Sequence, residues 1–367
     1  MPLSLPRTAW KTTASLPLAT FAATLALSLA SDDADACGGF FAKSADVPAL
    51  EVEETLLVFD PVKGEEHFIR EVTFKKGAAT FGFVVPTPAR PEVAKIANAP
   101  FQRLRDDFPM SGPQVLGGRG GLSDIGIGSG GTGKGGVEVL SRQRLGSFTA
   151  FVLAATDAGA MTKWLADNHF ETTPASRDWL AHYVALHFYF VAFRFEPPTT
   201  KEKADSAGDA ATPARSTSAE TMRISFPTPV PYYPYLEPAH APTDGPRVLS
   251  VWLVTPHEMT PVAAVDEGGH HQWKRPWLEG FGKRVSVASL KETVGPSLGA
   301  LLPAGTKASA DDGNEPSLSV QTFEDQKTSR GGWGDVVLVP NAPVALDAAA
   351  LAARRPFFAL LEPEAGR

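Results

Sequence analysis

The chain has 367 residues, 43% of them hydrophobic and 20% charged, which is the composition of a globular protein and excludes a disordered tail. Its 34 Lys plus Arg against 41 Asp plus Glu leave a net charge of -7, so no overall positive field exists to gather nucleic acid or anionic lipid. The 32 prolines and 33 glycines punctuate the backbone often enough to favour short strands and irregular loops over long helices.

The chain opens like a secretory leader. Arg7 and Lys11 precede an uncharged apolar or small-residue stretch from Leu16 to Ala30, and small-residue cleavage patterns follow at Ser28-Leu29-Ala30 and Ala34-Asp35-Ala36. The apolar run is too short, and too interrupted by Pro17 and hydroxyl residues, for a spanning anchor. Residues 1–36 are therefore expected to be a signal peptide, and the remainder to work outside the cytoplasm, in the periplasm or secreted. Cys37 is the sole cysteine and the expected mature N-terminus, which excludes an internal disulfide. A lipid on Cys37 is the alternative form of localisation and the one route to membrane association, although Ala34 replaces the large aliphatic residue such sites favour.

Past the leader, Cys37-Gly38-Gly39-Phe40-Phe41 is followed by Thr80-Phe81-Gly82-Phe83-Val84-Val85-Pro86-Thr87-Pro88 and Pro91-Glu92-Val93, then by Leu145-Gly146-Ser147-Phe148 and Trp164-Leu165-Ala166-Asp167-Asn168. Together with Tyr183-Val184 and Phe190-Val191-Ala192, these segments resemble the exported bacterial domain-of-unknown-function family 2330. The resemblance implies kinship and compartment but no activity. It also implies a second cysteine after the phenylalanine pair, where this chain carries Ala42.

In chain order, three apolar-rich runs, Thr55 to Phe59, His67 to Phe74 and Thr80 to Val85, are separated by Asp60-Pro61-Val62-Lys63-Gly64 and Lys75-Lys76-Gly77 and predict an antiparallel meander. From Pro91 to Phe108 the spacing of Val93, Ile96, Phe101 and Leu104 predicts helix, divided in two at Pro100. Residues 117–136 form a glycine-rich loop. Within it Gly128-Ser129-Gly130-Gly131-Thr132-Gly133-Lys134 imitates a phosphate-binding loop, but Gly135 replaces the Mg²⁺-holding hydroxyl, and a strand from Val137 to Leu140 follows where a helix is required. No nucleotide or other cofactor is expected.

Phe148 to Leu153 predicts a buried strand. Asp157 predicts the cap of a helix carrying Met161, Trp164 and Leu165, and Thr173-Pro174 starts a second helix with a core stripe of Trp179, Leu180, Tyr183 and Val184. A strand from His187 to Phe195 completes a strand-helix-helix-strand unit. Residues 197–221 are polar and aperiodic and read as a flexible linker or insertion. Beyond them Arg223 to Phe226, Val248 to Thr255, Arg284 to Ala288 and Asp335 to Val339 predict strands. The expected fold is α+β: mainly antiparallel sheet around that central unit, with long irregular loops. Residues 37–196 would form an N-terminal α+β domain and 222–367 a β-rich portion of the same or a second domain.

No catalytic or metal site is predicted. His257-Glu258-Met259-Thr260-Pro261 starts like a zinc-protease helix, but Pro261 stands where the second histidine belongs. His270-His271 with Asp266 or Glu267 supplies too few convergent ligands for zinc. Tyr232-Tyr233-Pro234-Tyr235 fits either a ligand platform or a loop packed on a sheet. The reading that follows is a non-catalytic binding or structural protein of the cell envelope with an unidentified envelope partner. The alternative is an extracytoplasmic hydrolase using scattered carboxylates such as Asp157, Asp178, Glu258 and Asp335.

Overall fold

The computed structural model describes residues 39–41, 52–75, 82–110, 136–195, 217–238, 248–267, 270–306, 315–327, 330 and 332–341, all within the unit Asp32–Arg367. The largest sheet is centred on β2 (Val52–Asp60), whose Leu56 and Val58 face one side and Leu57 and Phe59 the other, all 2% exposed or less. A strand apolar on both faces must lie between two packed layers. The turn to β3 (Glu65–Lys75) is fixed by Asp60, whose Oδ1 accepts from Val62 N at 2.9 Å and Lys63 N at 3.2 Å, and by Gly64 at φ 62°. β3 pairs along its whole length with β9 (Thr217–Pro227), and β9 with β5 (Glu92–Ile96). The other edge of β2 takes β11 (Val248–Thr255) in parallel, then β15 (Ser317–Asp325) and β14 (Leu278–Ser286) antiparallel. The result is a seven-stranded sheet of order β14-β15-β11-β2-β3-β9-β5, which draws strands from both sides of residues 197–221.

A five-stranded antiparallel sheet has the order β1 (Gly39–Phe41), β4 (Gly82–Thr87), β8 (Tyr189–Phe195), β7 (Phe148–Ala155) and β6 (Val137–Leu145). Between β7 and β8 run α2 (Ala158–Asp167) and α3 (Pro174–Ala185), the strand-helix-helix-strand unit expected from the sequence. Asp157 caps α2 by accepting from Ala160 N at 2.6 Å, and Thr173 and Ser176 close a reciprocal capping box at the start of α3. Both helices end alike, on a histidine in the left-handed region (His169 φ 67°, His187 φ 58°) followed by a buried phenylalanine, Phe170 or Phe188. A four-stranded sheet, β10 (Tyr232–Tyr233), β16 (Trp333–Pro340), β12 (Met259–Glu267) and β13 (His270–Lys274), completes the sheets of the described residues.

Two cores flank the seven-stranded sheet. On one face Leu57, Phe68, Ile224 and Phe323 join residues of the other two sheets in a single cluster. On the opposite face α1 (Phe101–Asp107) and α4 (Val287–Gly299) lay Phe101, Leu104, Leu290, Val294 and Leu298 over Leu56, Ile69, Trp252 and Val320.

Four expectations are corrected. Residues 92–96 form an edge strand rather than a helix: Val93 faces the first core and Ile96 the second, a division that the i, i+3 spacing of a helix face had imitated. Helix begins only after Pro100. The third run of the supposed meander leaves the sheet, because β9 takes the free edge of β3 while β4 pairs with β8. The last five residues of the expected linker, 217–221, belong to β9. Arg284 to Ala288 is a strand only to Ser286, whose side chain then caps α4 by accepting from Ser289 N at 3.1 Å.

Candidate functional site: a groove on the open edge of the large sheet

Strand β14 is the outer member of the seven-stranded sheet: β15 pairs with one of its edges, and no described strand pairs with the other. Along that edge runs a groove of about 660 Å³. Four consecutive residues of β14, Lys283 to Ser286, line it. Successive strand residues point to opposite faces, so a groove touching all four abuts the edge of the strand. Its opposite wall is helical, with Arg103, Asp106 and Asp107 from α1 and Ser289, Glu292 and Thr293 from α4, while Phe108 and Val285 supply apolar surface.

The walls are fixed by hydrogen bonds. Arg103 Nη1 donates to the carbonyl of Glu292, tying α1 to α4. Thr293 Oγ1 donates to Asp107 Oδ2 at 2.6 Å. Arg284 is bound back to the body, its Nη1 donating to Pro256 O at 2.9 Å and its Nη2 to Ser317 O and Thr306 Oγ1, each at 2.6 Å. Three exposed carboxylates, of Asp106, Asp107 and Glu292, thus face a wall whose exposed Lys283 forms no ion pair among the described residues. Such a groove offers the outward backbone N–H and C=O groups of β14, which no described strand takes, flanked by charges of both signs.

The strongly perturbed acids lie elsewhere and face one another's donors. Asp335, fully buried, accepts from Tyr183 Oη at 2.8 Å, Tyr232 Oη at 2.6 Å and Leu236 N at 2.9 Å; burial holds its carboxyl above the usual range despite those donors. Arg330, 0% exposed, donates from Nε to Asp325 Oδ2 at 3.0 Å and from Nη1 to Glu237 Oε1 at 3.1 Å, approaches Glu53 Oε2 at 3.7 Å and lies over the Tyr235 ring at 5.1 Å. Glu66 accepts from Tyr232 N at 2.6 Å while its Oε1 has no partner among the described residues, and burial raises its carboxyl well above the ordinary value. Glu54 and Glu71 stand opposite each other on β2 and β3; burial raises both, and Arg105 from α1 clamps Glu54. His67 shares a 2.8 Å hydrogen bond with Ser225 across β3 and β9, and Glu65 Oε2 lies 3.8 Å from its other nitrogen. Burial and the nearby Arg223 cation lower this histidine to about 4.

The four carboxylates singled out from the sequence occupy separate settings. Asp157 is a helix cap, Asp178 lies exposed on α3, Glu258 is exposed in the bend before β12, and Asp335 is locked in the core. His257-Glu258 leads into a strand, which removes the helical spacing of a zinc-protease motif. His270 and His271 pair in register with Glu267 and Asp266. Tyr232, Tyr233 and Tyr235 are all 0% exposed, so the tyrosine cluster is packed onto the sheets. Cys37 and the Gly128–Gly135 motif lie outside the described residues. The groove is not legible in the sequence. Its one trace there is the strand-to-cap sequence Arg284-Val285-Ser286, which gives no hint that the strand is an edge.

Among the described residues, three largely antiparallel sheets, with helices on one face and in the connection between two adjacent strands, define an α+β protein. Residues 31–215, half of the chain, match the family described as "Uncharacterized protein conserved in bacteria (DUF2330)", and the chain belongs to that family. No curated protein matches the sequence. Among solved structures, the crystal structure of baculovirus P35 is similar over 79% of this chain and 96% of its own, at 7% identity and a TM-score of 0.32. A mutated baculovirus P35 after caspase cleavage is similar over 79% and 99%, at 8% identity and a TM-score of 0.30. Likeness at this level carries no argument about fold or function.

Proposed function

We propose that this chain is an exported, envelope-associated protein that acts without catalysis, by taking an extended polypeptide segment of a partner along the open edge of β14. One observation carries the reading: Lys283 to Ser286, consecutive on an edge strand, line a groove walled on its far side by two helices. Strand addition of this kind draws affinity from main-chain hydrogen bonds and selectivity from flanking side chains. The leader expected over residues 1–36 supports the compartment, and Cys37 would carry any lipid anchor. The test is retention of an envelope protein by the immobilised chain from residue 37 onward. A Ser286→Pro variant, at a position whose φ of -62° suits proline, removes a backbone donor on the side away from β15 and should lose that protein. Equal retention by both would refute the assignment of the edge.

One observation favours a hydrolase as second reading: the Ser225–His67 pair has the nucleophile-and-base form, with Glu65 at the far ring nitrogen. Against it, both side chains are nearly buried and the histidine is a poor base at about 4. Covalent labelling by a fluorophosphonate, abolished in Ser225→Ala, would establish the hydrolase; an unlabelled Ser225 would remove it.

A further inference from the structure

The direction of each backbone group along the groove is fixed by the ladder beside it. Val287 N donates to Pro316 O at 3.0 Å at the start of β15. Alternation along an antiparallel pair then turns Val285 and Lys283 toward β15, opposite Leu318 and Val320, and turns Arg284 and Ser286 away from it. Ser286 caps α4, so its carbonyl already accepts the first helical bond. What reaches the groove is the N–H and C=O of Arg284 and the N–H of Ser286, enough for one complete antiparallel residue pair and one further bond. With so short a main-chain contact, selection falls to side chains.

A segment paired with Arg284 sets its two flanking residues opposite Lys283 and Val285, on the face where Leu318 and Val320 join the core beneath α1 and α4. Those two side chains therefore point at the helical wall. The wall carries Asp106, Asp107 and Glu292, exposed carboxylates that form no ion pair among the described residues. Asp106 accepts from Gln102 at 3.1 Å and Asp107 from Thr293 at 2.6 Å, both neutral donors. The cations nearby do not offset them: Arg103 is turned onto the carbonyl of Glu292, Arg284 is committed on the other face to Pro256, Thr306 and Ser317, and Lys283 stands on the strand itself. Phe108 and Val285 give the methylene stem of a long basic side chain apolar surface to lie on. A second copy of this chain suits the groove poorly, because it would bring the same three carboxylates to it.

We infer that the segment taken by the groove is basic, with lysine or arginine at the two positions that flank the residue paired to Arg284. The inference rests on the strand-addition reading above. Alternate spacing is what a strand requires, since only every second side chain meets the helices.

Three blocked peptides of valine and threonine, identical except for lysine, glutamine or glutamate at two alternate positions, test it by fluorescence anisotropy with the full chain. The lysine peptide should bind about fivefold tighter than the glutamine peptide, and the glutamate peptide weakest. Asp106→Asn/Glu292→Gln, which alters two exposed side chains, should remove the lysine advantage. Equal binding of the three peptides, binding of none, or a lysine advantage unchanged in that variant would each overturn the inference. Ser286→Pro separates it from the reading beneath it. Equal binding of all three peptides to the parent, lost in Ser286→Pro, would refute the basic pattern and leave strand addition standing. A lysine advantage as large in Ser286→Pro as in the parent would refute strand addition, and this inference with it.

Discussion

Replacing Arg330 by alanine is the most demanding test of how this protein is held together. The guanidinium is 0% exposed and meets three carboxylates, of Asp325, Glu237 and Glu53, each 2% exposed or less, besides covering the Tyr235 ring. Removing it takes the shared cation from three acids in a place water barely reaches, of which Glu53 keeps Arg70 Nη2 at 3.7 Å and Asp325 keeps Lys327 Nζ at 3.1 Å. Breaking a buried ion pair from one side costs about 3–5 kcal/mol, against a total stability of roughly 5–15 kcal/mol. The cost arises from the uncompensated anions more than from lost attraction. Arg330→Met combined with Glu237→Gln and Asp325→Asn should therefore recover much of the loss, since it fills similar volume and removes two of the charges. Urea unfolding followed by tryptophan fluorescence reads both variants, with Arg330→Ala expected at a clearly lower midpoint. A loss below about 1 kcal/mol for Arg330→Ala would refute the claim that this arginine neutralises the inter-sheet core.

Three further outcomes follow from the same geometry. Glu66 has a carboxyl raised by burial, so the stability it contributes is full below the ordinary value of 4.5 and is lost as pH rises through the higher folded value; Glu66→Gln should flatten that decline in unfolding free energy measured against pH. His67 is the opposite case: its folded value of about 4 lies below the ordinary 6.5, so stability is present above 6.5 and is lost as pH falls toward 4, and His67→Gln should flatten this acid limb in the same measurement. Finally, His169→Gly and His187→Gly should each raise stability by about 0.5 kcal/mol, because glycine accepts the left-handed backbone that ends α2 and α3; a thermal midpoint lowered by either change would contradict that account.

Local signals in the sequence carried the central unit well. Asp157, Thr173 and Pro174 mark helix starts through short-range capping chemistry, and these are the caps observed. The run from Val248 to Thr255 has the bounds of β11 because every residue between its ends is buried on one face or the other. What a single sequence could not carry was partnership. Val93 and Ile96 are three apart because they serve two different cores, a fact that exists only once the sheet has two faces covered. β12 and β15 mix apolar, polar and charged residues, and their burial is decided by neighbours far along the chain. Arg330 carries no local mark of a buried residue, since its acids come from β2, from β15 and from the loop after β10. The groove was hidden for the same reason: whether a strand is an edge is a property of the assembled sheet.

The single parallel pairing in the large sheet has a consequence for how the chain comes into being. Leu56 and Leu57 meet Trp252 and Leu253, so the oldest strand of the sheet stays without its inner neighbour until most of the polypeptide has emerged. Contacts this distant in sequence close slowly. Meanwhile the greasy flanks of β2 stand open to any passing segment. A nascent molecule of this kind would gain from a holdase that shields its first hundred residues, and its yield would fall as identical chains crowd together.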